Sequence, residues 1–162
     1  MDFITIAKQR MSVRDYKETK VEPEKLEQIL EAAHVAPTAA NLQPIRLIAV
    51  QSEEGLAKIS KAANIYGAPL AIIVCADHDK AWVRPFDQKQ TGDIDASILT
   101  DHMMLQATDL ALEWCGYATS SPMFCARNLT SRPTWSRSTF WLSAIPMKEP
   151  ATPIASISSA SR

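Results

Sequence analysis

Pro69 opens a run of six apolar residues, Leu70-Ala71-Ile72-Ile73-Val74-Cys75, with no polar position inside it. A run of that length without alternation predicts a central strand buried on both faces. The segments around it continue an α/β alternation. Leu26, Ile29, Leu30 and Ala33 follow the i, i+3, i+4, i+7 rule and Pro23 suits a first helical turn, so residues 22–36 read as an amphipathic helix that Pro37 ends. Ile45 to Gln51 reads as a strand. Ser52 reads as the N-cap of a short helix through Ala63, with Glu53 and Glu54 placed well for its dipole. A polar loop from Asp77 to Gly92 precedes a helix from Asp93 to about Leu112. Apolar residues cover most of that helix's circumference, which predicts burial on more than one side.

Two polar constellations stand out against this frame. Arg10, Ser12 and Arg14 alternate along Arg-Met-Ser-Val-Arg, so they share one face of an extended segment, and the two arginines also share a face in a helix. Two convergent guanidiniums can grip a phosphate through forked, charge-assisted hydrogen bonds, and the serine adds a neutral donor. Taken alone the triplet also fits an ordinary solvated basic surface. The second constellation is Ala36-Pro37-Thr38-Ala39-Ala40-Asn41-Leu42-Gln43-Pro44, between the first amphipathic helix and the first strand. Its small residues let a flat ligand approach the backbone, and its two side-chain amides can both donate and accept.

In this order and at this spacing the two motifs resemble the flavin-dependent nitroreductase family. The resemblance covers residues 3 to about 110 and implies an α+β fold, a mixed sheet wrapped by helices. It further implies a homodimer with FMN at each interface. Carried over residue by residue, it implies FMN contacts from Arg10, Ser12, Arg14, Pro37, Thr38, Ala39, Asn41 and Gln43. The arginine segment would take the phosphate and ribityl chain, and the Pro37 to Pro44 loop would lie against the isoalloxazine ring across the dimer interface. The implied activity passes hydride from NAD(P)H through flavin to a nitroaromatic, quinone or similar acceptor, with no catalytic side chain and no metal required. One departure lies inside the motif: many members have an aromatic residue after Gln-Pro, whereas this chain has Ile45.

Composition excludes several other classes. A formal net charge of −1 disfavours nucleic acid as a partner. No apolar run reaches the roughly 20 residues of a membrane-spanning helix, and Met-Asp-Phe-Ile-Thr is not expected to start a secretory signal. Cys75, Cys115 and Cys125 form an odd set without metal spacing, which fits a reducing cytoplasm. Asp77-His78-Asp79 reads as a solvated loop, and Asp93 and Asp95 read as the acidic start of a helix. His34 and His102 lack a local nucleophile or carboxylate and read as structural or surface residues. With four glycines in the chain, no dinucleotide fingerprint or phosphate-cradling loop is present.

Composition breaks near residue 110. Of 18 acidic residues only Glu113 and Glu149 lie beyond it, while serine goes from four before it to ten after it. The hydrophobic period is lost, and Ser156 to Arg162 is of low complexity, yet three tryptophans make the segment too apolar for a disordered tail. Reading each codon one base earlier offers an account: Leu110 to Glu113 then permit Leu-Gly-Leu-Gly, and Ser138 to Ile145 permit a strand-like Val-Asn-Ile-Leu-Ala-Ile-Gly-Tyr. The sequence therefore predicts a truncated flavin-binding domain over 1–110 and an out-of-frame segment over 111–162, with the later strands lost or disordered. The competing expectation is a non-catalytic remnant, or a flavin-binding module without redox turnover.

Overall fold

The computed structural model describes residues 2–61, 63–118 and 140–144. Its elements in chain order are α1 (Phe3–Gln9), α2 (Pro23–His34), β1 (Ile45–Val50), α3 (Glu53–Ser60), β2 (Ala71–Ala76), α4 (Gly92–Asp109), β3 (Cys115–Ala118) and β4 (Phe140–Ala144). A short 3-10 turn at Ala39–Asn41 separates α2 from β1.

The four strands form one sheet in the order β1-β2-β4-β3, with every ladder antiparallel. A single parallel bridge, Ser12 to Trp114, adds the N-terminal arm beside it. The architecture is the α+β fold expected. As the unbroken apolar run predicts, every residue of β2 is buried. Ile72, Val74 and Ala76 face a core shared with α2 and α4, while Ala71, Ile73 and Cys75 face Ile59 of α3, Ile65, Ile48 and Tyr16. The period of two thus divides one strand between two cores.

Within the composition break, β3 and β4 are in the sheet, and β4 lies between β2 and β3. Residues 119–139 and 145–162, including the low-complexity run from Ser156, lie outside the described residues.

Local chemistry accounts for the element boundaries. Asp2 caps α1, accepting from Thr5 N–H at 3.1 Å, and this helix was not expected from the sequence. Pro23 occupies the first turn of α2. Ser52 Oγ accepts from Gly55 N–H at 3.2 Å to start α3. Gly55 is required there, because a Cβ would stand 2.5 Å from Val50 Cγ1. On α4 the buried residues Asp95, Leu99, Met103 and Ala107 recur every four positions and form one inward stripe. Burial on more than one side is not reached: Ile94 remains 54% exposed, and Ile98 and Leu105 are half-buried.

Candidate functional site

The helix ends before the first candidate motif begins. Arg10 is the C-cap of α1 at φ −58°, ψ 124°, so the chain turns extended there and Ser12 bridges Trp114. Val13 N–H donates to Trp114 O at 3.0 Å, and the Tyr16 hydroxyl donates to Val13 O. Burial, reinforced by the neighbouring Cys115 thiol, pushes the Tyr16 phenol well above its ordinary range. Arg10 is half-buried, Ser12 and Arg14 are exposed, and among the described residues neither guanidinium is paired with a carboxylate. Two unpaired cations beside an exposed hydroxyl suit an oxyanion such as phosphate.

The second motif is an ordered loop with a strained backbone. Pro37, Asn41 and Gln43 are exposed, and Thr38 and Ala39 are half-buried. Ala40, Asn41 and Gln43 all lie in the left-handed region, at φ 50°, 53° and 48°. That conformation costs an L-residue about 1–2 kcal/mol, so the loop persists only because other bonds define it. Thr38 supplies two of them, its carbonyl accepting from Asn41 N–H at 2.9 Å and its Oγ1 from Gln43 N–H at 3.0 Å. At the far end Pro44 is buried and its carbonyl accepts from Asp77 N–H at 2.8 Å, tying the loop to the end of β2.

One residue at this site carries a role the sequence did not suggest. Asp95, 1% exposed, accepts from Ala39 N–H through Oδ1 at 2.9 Å and from the Thr91 hydroxyl through Oδ2 at 3.3 Å. The reading of Asp93 and Asp95 as a shared acidic helix start holds for exposed Asp93, whereas Asp95 faces inward and fastens the loop. A signal was present: Asp95 is in step with Leu99, Met103 and Ala107, and an acid on an apolar stripe must find donors in the interior.

Beside the loop, Thr38, Gln43, Ile45 and Arg46 line a pocket of about 310 Å³ closed behind by Leu30 and Leu99. Ile45 is 8% exposed, so this pocket's wall is aliphatic where the resemblance expects an aromatic ring. Arg46 Nη1 donates to Ile45 O at 2.8 Å and to Gln43 O at 3.3 Å, folding the side chain back along the loop. His78, in the loop after β2, pairs Nδ1 with Gln90 Oε1 at 2.8 Å, and His102 Nδ1 lies 2.9 Å from Ile98 O.

The two motifs do not meet within the chain. Ile45, at the end of the loop, pairs with Ala76, whereas Cys115, one residue past the arm's bridge, aligns through Ala144 with Ala71. Ala71 and Ala76 stand about 17 Å apart along β2. Asp95 at one end of α4 is likewise about 21 Å from Asp109 at the other. Between the ends, α1, α2 and α4 enclose an open groove of about 670 Å³ lined by Phe3, Ile6, Val35, His102 and Leu105 among others. Phe3 and Val35 on its rim are 69% and 66% exposed.

Comparison with known proteins adds a lineage. The nitroreductase family model matches residues 7–65. A nitroreductase family protein of Clostridium difficile 630 is similar in structure, with a TM-score of 0.86, 47% identity, and coverage of 94% of this chain and 89% of that one. An FMN-dependent nitroreductase of C. difficile R20291 is 26% identical at a TM-score of 0.74, covering 93% of this chain and 92% of its own. A Methanothermobacter thermautotrophicus protein, whose name proposes NADH dehydrogenase or NAD(P)H nitroreductase activity, is 34% identical over 122 residues. That match takes in 72% of this chain, which spans 61% of the relative's length.

Proposed function

The chain belongs to the nitroreductase family, and from that premise we propose that it is an FMN-dependent oxidoreductase using NAD(P)H as donor. Its acceptor is a nitroaromatic, a quinone or a similar small molecule, and it works in the cytoplasm. The observation that carries this reading is the pair of guanidiniums, Arg10 and Arg14, without a carboxylate partner among the described residues and flanking exposed Ser12 on the extended arm. These groups hold the phosphate. Asn41 and Gln43, with the backbone of Pro37, Thr38 and Ala39, face the ring.

FMN held there by Arg10, Ser12, Arg14 and the Pro37 to Gln43 loop would supply the redox chemistry between NAD(P)H and the acceptor. This chain's residues bind, orient and exclude water, so no acid, base or nucleophile is assigned among them. The aliphatic wall at Ile45 widens the acceptor pocket relative to an aromatic one.

A homodimer completes the site. The groove on α1, α2 and α4 is open, with Phe3, Ile6, Val35 and Leu105 set among Glu31, Asp101, His102 and Asp109, and a two-fold axis across the middle of α4 would set one end of that helix against the opposite end in the partner. The ring half of one protomer then meets the phosphate half of the other. Among the described residues no helix is long and apolar enough to cross a membrane.

An absorbance spectrum of the purified protein tests this reading directly. Bound flavin, a dimeric mass and NAD(P)H oxidation are expected. A folded, colourless protein that takes up no added FMN overturns it, and one that binds FMN without being reduced by NAD(P)H is instead a flavin-binding module.

A further inference from the structure

We propose that Asp95 is the positioning residue for the ring-binding loop, an inference that rests on the flavin reading above. The loop's own bonds, from Thr38 to Asn41 and Gln43 and from Ala39 O to Leu42 N–H at 3.1 Å, define its shape but not its place. Its ends run into α2 and β1. Pro44 O fixes the loop's far end to Asp77 N–H, and among the described residues the further bond from the loop to a distant element is Ala39 N–H to Asp95 Oδ1, which joins residues 56 apart in sequence.

The carboxylate is well suited to that task. At 1% exposure it meets no competing water, and its second oxygen lies 3.3 Å from the Thr91 hydroxyl, whose one proton is shared between this carboxylate and Trp82 O at 3.3 Å. Thr91 is itself tied at both ends of the turn: its N–H donates to Trp82 O at 2.9 Å, and its carbonyl accepts from Asp95 N–H at 2.9 Å. Gly92 lets α4 start close to the sheet, with Ala76 Cβ only 3.2 Å from where its own Cβ would stand. Loop, helix start and strand end therefore form one rigid unit, and the three left-handed residues that present Asn41 and Gln43 are held at its surface. Without the carboxylate the Ala39 N–H loses its partner and the loop, its shape still held by Thr38, is free to shift from its place.

Riboflavin, which has the ring but no phosphate, separates this role from the phosphate anchor. Affinities of the full-length protein for FMN and riboflavin are measured by quenching of flavin fluorescence, alongside amide exchange at Ala39. Asp95→Ala is expected to weaken both ligands by the same factor, about tenfold or more, and to speed exchange at Ala39. Asp95→Asn keeps one oxygen for Ala39 N–H, and its amide N–H can donate to Thr91 Oγ1 while that hydroxyl turns to Trp82 O. It is expected to bind both flavins within about threefold of the wild type with Ala39 still protected.

A residue that only adds stability would lower the melting temperature of Asp95→Ala and leave the affinity of the folded protein unchanged, and that result overturns the proposal. Should Asp95→Ala not fold, Asp95→Asn decides: retained riboflavin binding with a protected Ala39 amide supports the role, and loss of either overturns it. A folded wild type that binds neither flavin overturns the flavin reading, and this inference with it, whereas failure confined to the variants leaves that reading standing.

Discussion

The two ends of α4 are built to different standards. At the N-terminal end Gly92 fits against Ala76 and Ala81, and Asp95 has partners for both oxygens. At the C-terminal end the helix closes through Leu112 N–H to Ala107 O at 2.8 Å, which places Ala111 at φ 57°, a conformation that favours glycine. Three residues past Ala111, the Trp114 indole is 1% exposed and its Nε1 has no hydrogen-bond partner among the described residues. Left-handed non-glycine residues also occur earlier, at Ala40, Tyr66 and Gln88 among others, but here one coincides with a buried indole lacking a partner among the described residues and with the change in composition. Read one base earlier, the same codons permit glycine at position 111, where the backbone favours it. We propose on that ground that the segment from 111 is out of frame. DNA sequencing across codons 105 to 115 is expected to reveal a gained or lost base relative to an intact gene, and an unbroken frame shared by close relatives overturns the idea.

The largest expected effect separates the two halves of the flavin site. Replacing both Arg10 and Arg14 by alanine removes charge-assisted bonds each worth about 1.5–3 kcal/mol, so FMN affinity should fall by about a hundredfold or more. Riboflavin affinity should fall far less, because riboflavin lacks the phosphate that the two guanidiniums hold and offers the arm only its ribityl chain. Equal losses for the two ligands would show that the ends are coupled.

Next comes Gly92→Val, which tests the well-fitted end. Its Cβ would meet Ala76 and Ala81 Cβ at 3.2 and 3.3 Å, and the added methyls have the His78 ring beside them. Overpacking of this kind costs about 1–3 kcal/mol, read as a lowered urea midpoint with an unchanged slope. A neutral result would mean that the helix start can slide on the sheet.

Ala111→Gly tests the poorly fitted end with the opposite sign. Relief of the left-handed alanine should stabilise the chain by about 1 kcal/mol, reduced by glycine's greater freedom when unfolded. A loss of stability would mean that the left-handed turn is not populated.

How much of this could be read from sequence also differs between the ends. The buried strand, α2, α3 and α4 follow from apolar periodicity and capping, because each signal is local. The two site motifs were legible as residues, but not their separation by the length of α4, which depends on sheet register. Asp95 was passed over because two acids at a helix start ordinarily satisfy the dipole from outside, and only its phase with Leu99 and Met103 sets it apart. Helix α1 escaped notice because seven residues carry too few turns for a period to show.

Trp114→Phe should give the smallest change. Burying an indole N–H without a partner costs about 1–3 kcal/mol, and phenylalanine removes that cost while giving up part of the ring's packing against the α4 core. The two contributions oppose each other at similar size, so the urea midpoint should correspond to a stability within about 1 kcal/mol of the wild type. A loss above about 2 kcal/mol would mean that packing outweighs the unpaired group and that this end of α4 is better fitted than its bonds suggest. A gain would place the defect in the side chain itself, as expected where a buried position carries a residue not chosen for it.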